Sequence, residues 1–225
     1  MPTLNANRVG EGEGSGSSNF STARTGNAFA VADNPSGNDQ FAIQHFFSSG
    51  RGGGTHKFRR IFIHFDTSSI SAAPSAATLN IKGNSFGNDA DIIVLKSTAM
   101  SGDGSTALAA SEFFSSIDYS TAYSGEVSTW NNGANNAITL NSTALTDIGN
   151  NDNFTVAVVE HDSDAQNTAT SDSVEAGVDY DTTMFIDYTA AVSGYGHSVS
   201  GVASASISKV NTVATANIGK INTVD

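Results

Sequence analysis

Apolar and polar positions alternate in short runs along most of the chain, and the clearest run is KFRRIFIHFD, from Lys57 to Asp66. On an extended strand Phe58, Arg60, Phe62 and His64 share one face, and Arg59, Ile61, Ile63 and Phe65 share the other. Apolar residues on both faces predict a central strand, packed above and below. Similar runs follow the same rule: NAFAVA (Asn27 to Ala32), DQFAIQHFF (Asp39 to Phe47), ATLNIKG (Ala77 to Gly83), ADIIVLKS (Ala90 to Ser97), NAITL (Asn136 to Leu140), NFTVAVVEHD (Asn153 to Asp162) and TMFIDYT (Thr183 to Thr189). Turn-forming clusters such as DNPSGN, SSGRGGGT, NSFGND and SGDGS separate them. The pattern predicts eight or nine strands. One helix is predicted, TALAASEFFSSI over Thr106 to Ile117, because Leu108, Phe113 and Ile117 recur at helical spacing.

Short strands with little helix between them predict an all-β fold, an antiparallel sandwich, and eight strands is the jelly-roll number. Missing crossover helices exclude parallel βαβ winding. The sandwich is expected over residues 27–190. Residues 1–26 are Gly, Ser, Thr and Asn with few apolar anchors, and are expected to form an extended arm ordered only against another surface.

Residues 191–225 are expected to form an assembly tail. VSGVASASISK (Val199 to Lys209), VNTVATANIGK (Val210 to Lys220) and INTVD (Ile221 to Asp225) repeat with a period of 11 residues. Such a period suits a right-handed helical coil, but Val, Ile, Thr, Ser, Asn and Gly are poor helix formers, so the repeat reads as β. An odd period turns equivalent residues to opposite faces, and the chain must therefore bend once per repeat, at Ser200-Gly201, Asn211-Thr212 and Asn222-Thr223. Too few copies are present to bury their own apolar stripe. Val199, Val202, Ile207, Val210, Val213, Ile218, Ile221 and Val224 are thus the expected assembly positions, facing other copies of the chain or another protein.

Composition sharpens this picture. The net charge of −12, from 22 acidic and 10 basic residues, argues against nucleic acid as a partner, since phosphate binding rests on Lys and Arg. The basic cluster HKFRRIFIHF is expected to be a cationic strand face. No cysteine is present, which removes disulfides, thiolate metal sites and a Cys nucleophile. Neither a signal-peptide pattern nor a run approaching the roughly 18 apolar residues of a membrane span occurs, so synthesis in a cytoplasm and no membrane partner are expected.

Several phrases in the middle of the chain resemble one family. RRIFIHFDTSSISAAPSAATLNIKG, YSGEVSTWNNGANNAITLNSTALTDI and SDSVEAGVDYDTTMFIDYTA, spanning about residues 56–190, are similar in order to DNRLRE-type jelly-roll domains, which are related to carbohydrate-binding modules. The resemblance implies a jelly roll without catalytic residues, of a kind found in surface proteins, adhesins and phage virion proteins. The tail is similar to the Val/Ala/Ile/Asn/Lys repeats that end many tailed-phage structural proteins.

Candidate chemistry is sparse. The histidines lack paired ligand spacing, and His64 with Asp66 on one strand face is a dyad without a nucleophile. Asp162 and Asp164 in EHDSDAQN, with Asn167 nearby, offer hard oxygen ligands for a structural calcium ion, and no other cofactor is expected. Tyr119, Tyr123 and Trp130 lie in a Ser- and Asn-rich stretch where exposed rings would stack on a glycan. These readings together suggest a non-enzymatic virion protein of a tailed phage, in capsid decoration or a head fibre. Its expected partners are its own copies in a homotrimer and other virion proteins such as the major capsid protein. The alternative is a glycan- or receptor-binding fibre or adhesin module facing a host surface glycan, and a polysaccharide hydrolase ranks last.

Overall fold

The computed structural model describes residues 1–33, 40–51, 53–84, 91–179, 184–191, 209–210 and 213–214. Two antiparallel sheets pack face to face as an all-β sandwich. The smaller sheet has the order β1 (Thr3–Asn5), β12 (Phe185–Thr189), β6 (Ala76–Lys82), β9 (Asn135–Thr139). The larger runs β11 (Val174–Asp179), β4 (Gln40–Ser48), β5 (Thr55–Asp66), β10 (Asn153–Glu160), β7 (Ile92–Ser97), β8 (Ile117–Ala122), with β2 (Arg8–Gly14) also on β5 and β3 (Ala28–Asp33) on β2.

β5 is central, as its two apolar faces predict. Ile61, Ile63 and Phe65 point between the sheets, where they meet Leu79, Ile81, Ile138, Val156, Val158 and Ile186. Phe58 and Phe62 point the other way into a second core with Leu95, Ala157, Val159, Met100, Leu108 and Phe113. Loop 98–111 and two short helices, α1 (Phe20–Thr25) and α2 (Glu112–Ser115), cover that outer face. Each large apolar side chain so buried contributes roughly 1.5–3 kcal/mol.

The expected N-terminal arm is instead part of the sandwich. β1 pairs along β12, and β2 pairs with β5 from Arg8↔His64 to Glu13↔Arg59 and with β3 on its far side. The reason lies in RVGEGEG. Val9 and Glu11 face the inter-sheet core, while Gly10, Gly12 and Gly14 present bare backbone to Leu108, Met100 and Phe113. A Cβ on Gly12 would stand 2.4 Å from Cδ2 of the fully buried Phe113 ring. The low hydrophobicity that suggested an arm is room for the Phe113 ring and the Leu108 and Met100 side chains. Gly12→Ala should therefore cost about 1–3 kcal/mol by overpacking. The exposed Gly125, with nothing within 4 Å of an added Cβ, should tolerate alanine almost without change in urea unfolding.

The helix expected over Thr106 to Ile117 shrinks to one turn, Glu112–Ser115. Leu108, Phe113 and Ile117 are all buried in the outer core, so the apolar spacing was real, but Ile117 already pairs with Ser97 at the start of β8. The longest helix among the described residues, α3 (Ser142–Asn150), lies in a stretch of Ser, Thr and Asn that does not look helical. Asn141 caps it by accepting from the N–H groups of Thr143 and Ala144, and Ala144 and Ile148, four apart, bury against the sandwich.

In the expected tail, Val199, Val202, Ile207, Ile218, Ile221 and Val224 lie outside the described residues. Val210 and Val213 oppose each other where β13 (Lys209–Val210) pairs antiparallel with β14 (Val213–Ala214). No helix among the described residues is long and apolar enough to cross a membrane.

Candidate functional site

Polar chemistry concentrates on the turn that follows β10. Glu160, the last residue of the strand, folds its buried carboxylate over the turn and accepts from the N–H groups of Asp162 (3.1 Å), Ser163 (2.7 Å) and Asp164 (2.8 Å) and from the Ser163 hydroxyl (2.5 Å). Those N–H groups would otherwise be orphans at a helix start. The chain then makes one wide helical turn, His161–Ala165, closed by Gln166 N–H donating to the His161 carbonyl at 2.8 Å. Turns of this wide type recur at functional sites. Burial raises the Glu160 pKa even though its donors oppose the shift.

The turn sends Asp164 inward and His161 outward. Asp164 meets Arg60 of β5 in a buried fork, with Arg60 Nε donating to Oδ2 at 2.6 Å and Nη2 to Oδ1 at 2.8 Å. Nη1 donates to the carbonyl of Phe113 and Nη2 also to that of Arg24, both at 2.7 Å. The Tyr119 hydroxyl donates to Asp164 Oδ1 at 3.0 Å, and Arg24 Nε donates to the Asp164 carbonyl at 2.6 Å. Aromatic faces complete the cage, with Phe113 4.1 Å from the Arg60 carbon and Tyr119 4.4 Å from that of Arg24. Burial alone would lower the Arg60 pKa, but the Asp164 carboxylate outweighs it and holds the arginine charged. Burial and the same carboxylate push the Tyr119 phenol far above its ordinary range.

On the outer side, three backbone segments meet. Glu160 pairs with Ile92, and Ile92 exchanges both backbone hydrogen bonds with Val127. His161 and Asp91 lie one step beyond the first of these pairs, with His161 N–H donating to the Asp91 carbonyl at 2.8 Å, and Glu126 adjoins Val127 in the second. Their ligand atoms lie within 4.8 Å of one another. His161 Nδ1 stands 3.5 Å from Asp91 Oδ1, 3.8 Å from Glu126 Oε2 and 3.0 Å from Asp162 Oδ1. Burial, with the charge of Asp162 next in size, raises the Asp91 pKa.

The calcium pair expected from sequence does not form. Asp164 is spent on arginine inside the outer core, and Asp162 sits exposed beside His161. What the sequence could not show is that Asp91 and Glu126, 70 and 35 residues before His161, arrive at the same place through strand pairing. The expected cationic face of β5 is corrected too. Arg60 is fully buried, and Lys57 and Arg59 pair with Glu13 of β2.

Nor do Tyr119, Tyr123 and Trp130 make an exposed platform. Trp130 is buried, and its Nε1 donates to the Gly177 carbonyl at 2.9 Å. Tyr119 serves Asp164 in the interior. Tyr123 is 2% exposed, stacks on Phe154, and donates a hydrogen bond from its hydroxyl to Asp147, which also accepts from Lys96 Nζ at 2.8 Å. Burial would raise the Asp147 pKa, but Lys96 and Tyr123 outweigh it and hold it low. Beside this triad runs a groove of about 520 Å³, lined by Ser97, Thr98, Asn150, Asn151, Asp152 and Asn153 among others.

The other histidines among the described residues, His45, His56 and His64, are held by internal contacts, and His197 lies outside the described residues. His64 bonds through Nδ1 to the Thr155 hydroxyl at 2.9 Å, whereas Asp66 turns to Ser68, so the dyad does not form. His45 and His56 stack, their facing nitrogens 3.1 Å apart, under Phe20 and beside Phe58. Compared with known proteins, the chain matches no family model, and no curated protein matches it.

Proposed function

We propose that the chain is a non-enzymatic structural protein of a tailed-phage particle, a jelly-roll module that decorates the capsid or forms a head fibre through contacts between subunits. The observation that carries the assembly half of this reading is the open edge of the larger sheet. Among the described residues β2 is the only strand that pairs with β3, whose Ala28 N–H donates to the Ala110 carbonyl, and β3 offers Phe29, 78% exposed, and Val31, 41% exposed. A bulge where β3 passes Glu13 and Gly14 leaves Phe29 without an opposite residue. Exposed apolar groups on an unpaired edge favour partner binding over solitary existence in water. The 11-residue repeat at the C-terminal end supports the same reading, because its apolar stripe needs neighbours. The partners are copies of this chain, expected as a trimer, and other particle proteins such as the major capsid protein.

Light scattering on the full chain at micromolar concentration should give about three times the 23.1 kDa monomer mass. Phe29→Asp or removal of residues 191–225 should lower it. A strictly monomeric full chain overturns the self-assembly reading. An electron-microscopy map of the particle with copies on capsid threefold axes supports decoration, and a few copies at the tail vertex point to a fibre.

The groove beside Asp147 favours a second reading, a glycan- or receptor-binding module. Its amide, hydroxyl and carboxylate lining suits sugar hydroxyls. Binding on a glycan array that Asn151→Ala and Asn153→Ala abolish would select it.

A further inference from the structure

We propose that His161, Asp91 and Glu126, with Asp162 beside the imidazole, form a binding site for one divalent transition-metal ion of the zinc type. Three groups on three segments bring their ligand atoms within 4.8 Å of one another although none are neighbours in sequence, and Asp162 Oδ1 stands 3.0 Å from the imidazole of the group. Ligand atoms bound tetrahedrally at about 2.1 Å from an ion stand about 3.4 Å from one another. The three carboxylate oxygens lie 3.5, 3.8 and 3.0 Å from His161 Nδ1. The Asp91, Glu126 and His161 ligand atoms, all within 4.8 Å of one another, are thus within side-chain reach of tetrahedral spacing around one ion.

Asp91 supplies an independent observation. Its Oδ1 is buried and has no hydrogen-bond donor, though it points at the imidazole. An unpaired buried acceptor carries a cost that a coordinated cation removes. The Lys and Arg ion pairs among the described residues all go to other acids, so three carboxylates crowd one imidazole with no fixed cation between them. The support behind the ligands is rigid. His161 and Asp91 are tied by a backbone hydrogen bond, and Glu126 follows from the Ile92–Val127 pair. On the far side of the ring the Gln166 amide nitrogen lies 3.3 Å from Nε2, while Nδ1 meets Asp162 Oδ1 at 3.0 Å; binding through Nδ1 takes a flip of that amide, which puts its oxygen where it accepts the Nε2 proton and frees Nδ1 for the metal.

One imidazole nitrogen among carboxylates selects a borderline ion over calcium, which takes six to eight oxygens. The side chains of Glu126 and Asp162 are 49% and 70% exposed, so the ion has an open path and room for a water.

The test uses the full chain, stripped with chelator, and Zn²⁺ as the probe. Calorimetry should give one Zn²⁺ per chain, and at a Zn²⁺ concentration on the order of a hundred times Kd the melting temperature should rise by about 5–10 °C. Ca²⁺ at the same concentration should leave it unchanged. His161→Ala should abolish both Zn²⁺ effects. Glu126→Gln changes a half-exposed side chain and should weaken binding at least tenfold while the metal-free melting temperature stays that of the parent. Absence of Zn²⁺ binding, binding that survives in both variants, or a response to Ca²⁺ equal to that to Zn²⁺ overturns the proposal. The oligomer mass serves as a separate readout, since loss of the metal is expected to leave it unaltered.

Discussion

Asp164→Ala is expected to destabilise the protein by about 3–5 kcal/mol, the largest loss from any single polar substitution in this chain. The aspartate itself is a modest contributor to stability, since taking two charges out of water cancels most of their attraction. The loss arises because Arg60, with no exposed surface, would keep its charge among Phe58, Phe113 and Phe114 with no anion to meet it. Arg24 and the Tyr119 hydroxyl would lose the same acceptor. A natural domain is stable by only about 5–15 kcal/mol, so the variant should be substantially unfolded at moderate urea. The double variant Arg60→Met/Asp164→Leu removes both charges and should recover most of the loss, which a urea-melt cycle of single and double variants measures. Equal instability of double and single variants would mean that the cage needs the pair for its shape, and a loss below about 1 kcal/mol would place Arg60 in contact with water.

Glu11→Gln is expected to stabilise the protein at pH 8 and to do nothing at pH 4. Glu11 faces the inter-sheet core from β2, and its Oε1 accepts the Ala42 N–H at 3.2 Å, where β4 has parted from β5. Burial raises its pKa from the usual 4.5 to about 7, against the opposing pull of the Ala42 N–H and Arg59. Below pH 4.5 the carboxyl is protonated in both folded and unfolded chains, and there is no difference to remove. As pH rises towards 7 the unfolded chain releases the proton and the folded chain does not, so stability is lost across that window and stays lost above it. Each pKa unit is worth about 1.4 kcal/mol, and partial solvation of the group reduces the total to roughly 2–3 kcal/mol. Glutamine keeps an oxygen for the Ala42 N–H and cannot ionise. Chemical melts of the two proteins at both pH values give the difference directly, and a gain of the same size at pH 4 and pH 8 would refute titration as its cause.

The two residues also show how far a one-dimensional pattern reaches. Arg60 stands among Phe58, Phe62 and His64 in a strand whose alternation was plain, and that alternation placed β5 at the centre of the larger sheet. It could not tell that the cation on that face has an acid 104 residues away folded against it. Glu11 lies in RVGEGEG, where glycine at every second position lowers the hydrophobicity of the run, and only the rings of Phe113 and the side chain of Leu108 show what the gaps are for. The strand β11 (Val174–Asp179) was missed for a similar reason: VEAGVD is short and weakly apolar, and it is held by its ladder to β4.

By itself the sequence determined the fold class, the approximate extents of eight strands and the centrality of β5, because alternation, β-branched residues and turn formers act within a few residues of one another. Tertiary structure alone decided which chemistry exists. The Asp164 that looked like a calcium ligand became the counter-ion of Arg60, the aromatic residues that looked exposed became core, and His161 gained Asp91 and Glu126 as neighbours. Each of those outcomes depends on strand order and register, in which a carboxylate's partner is set by the ladder that brings distant backbone together and not by the residues beside it in the chain.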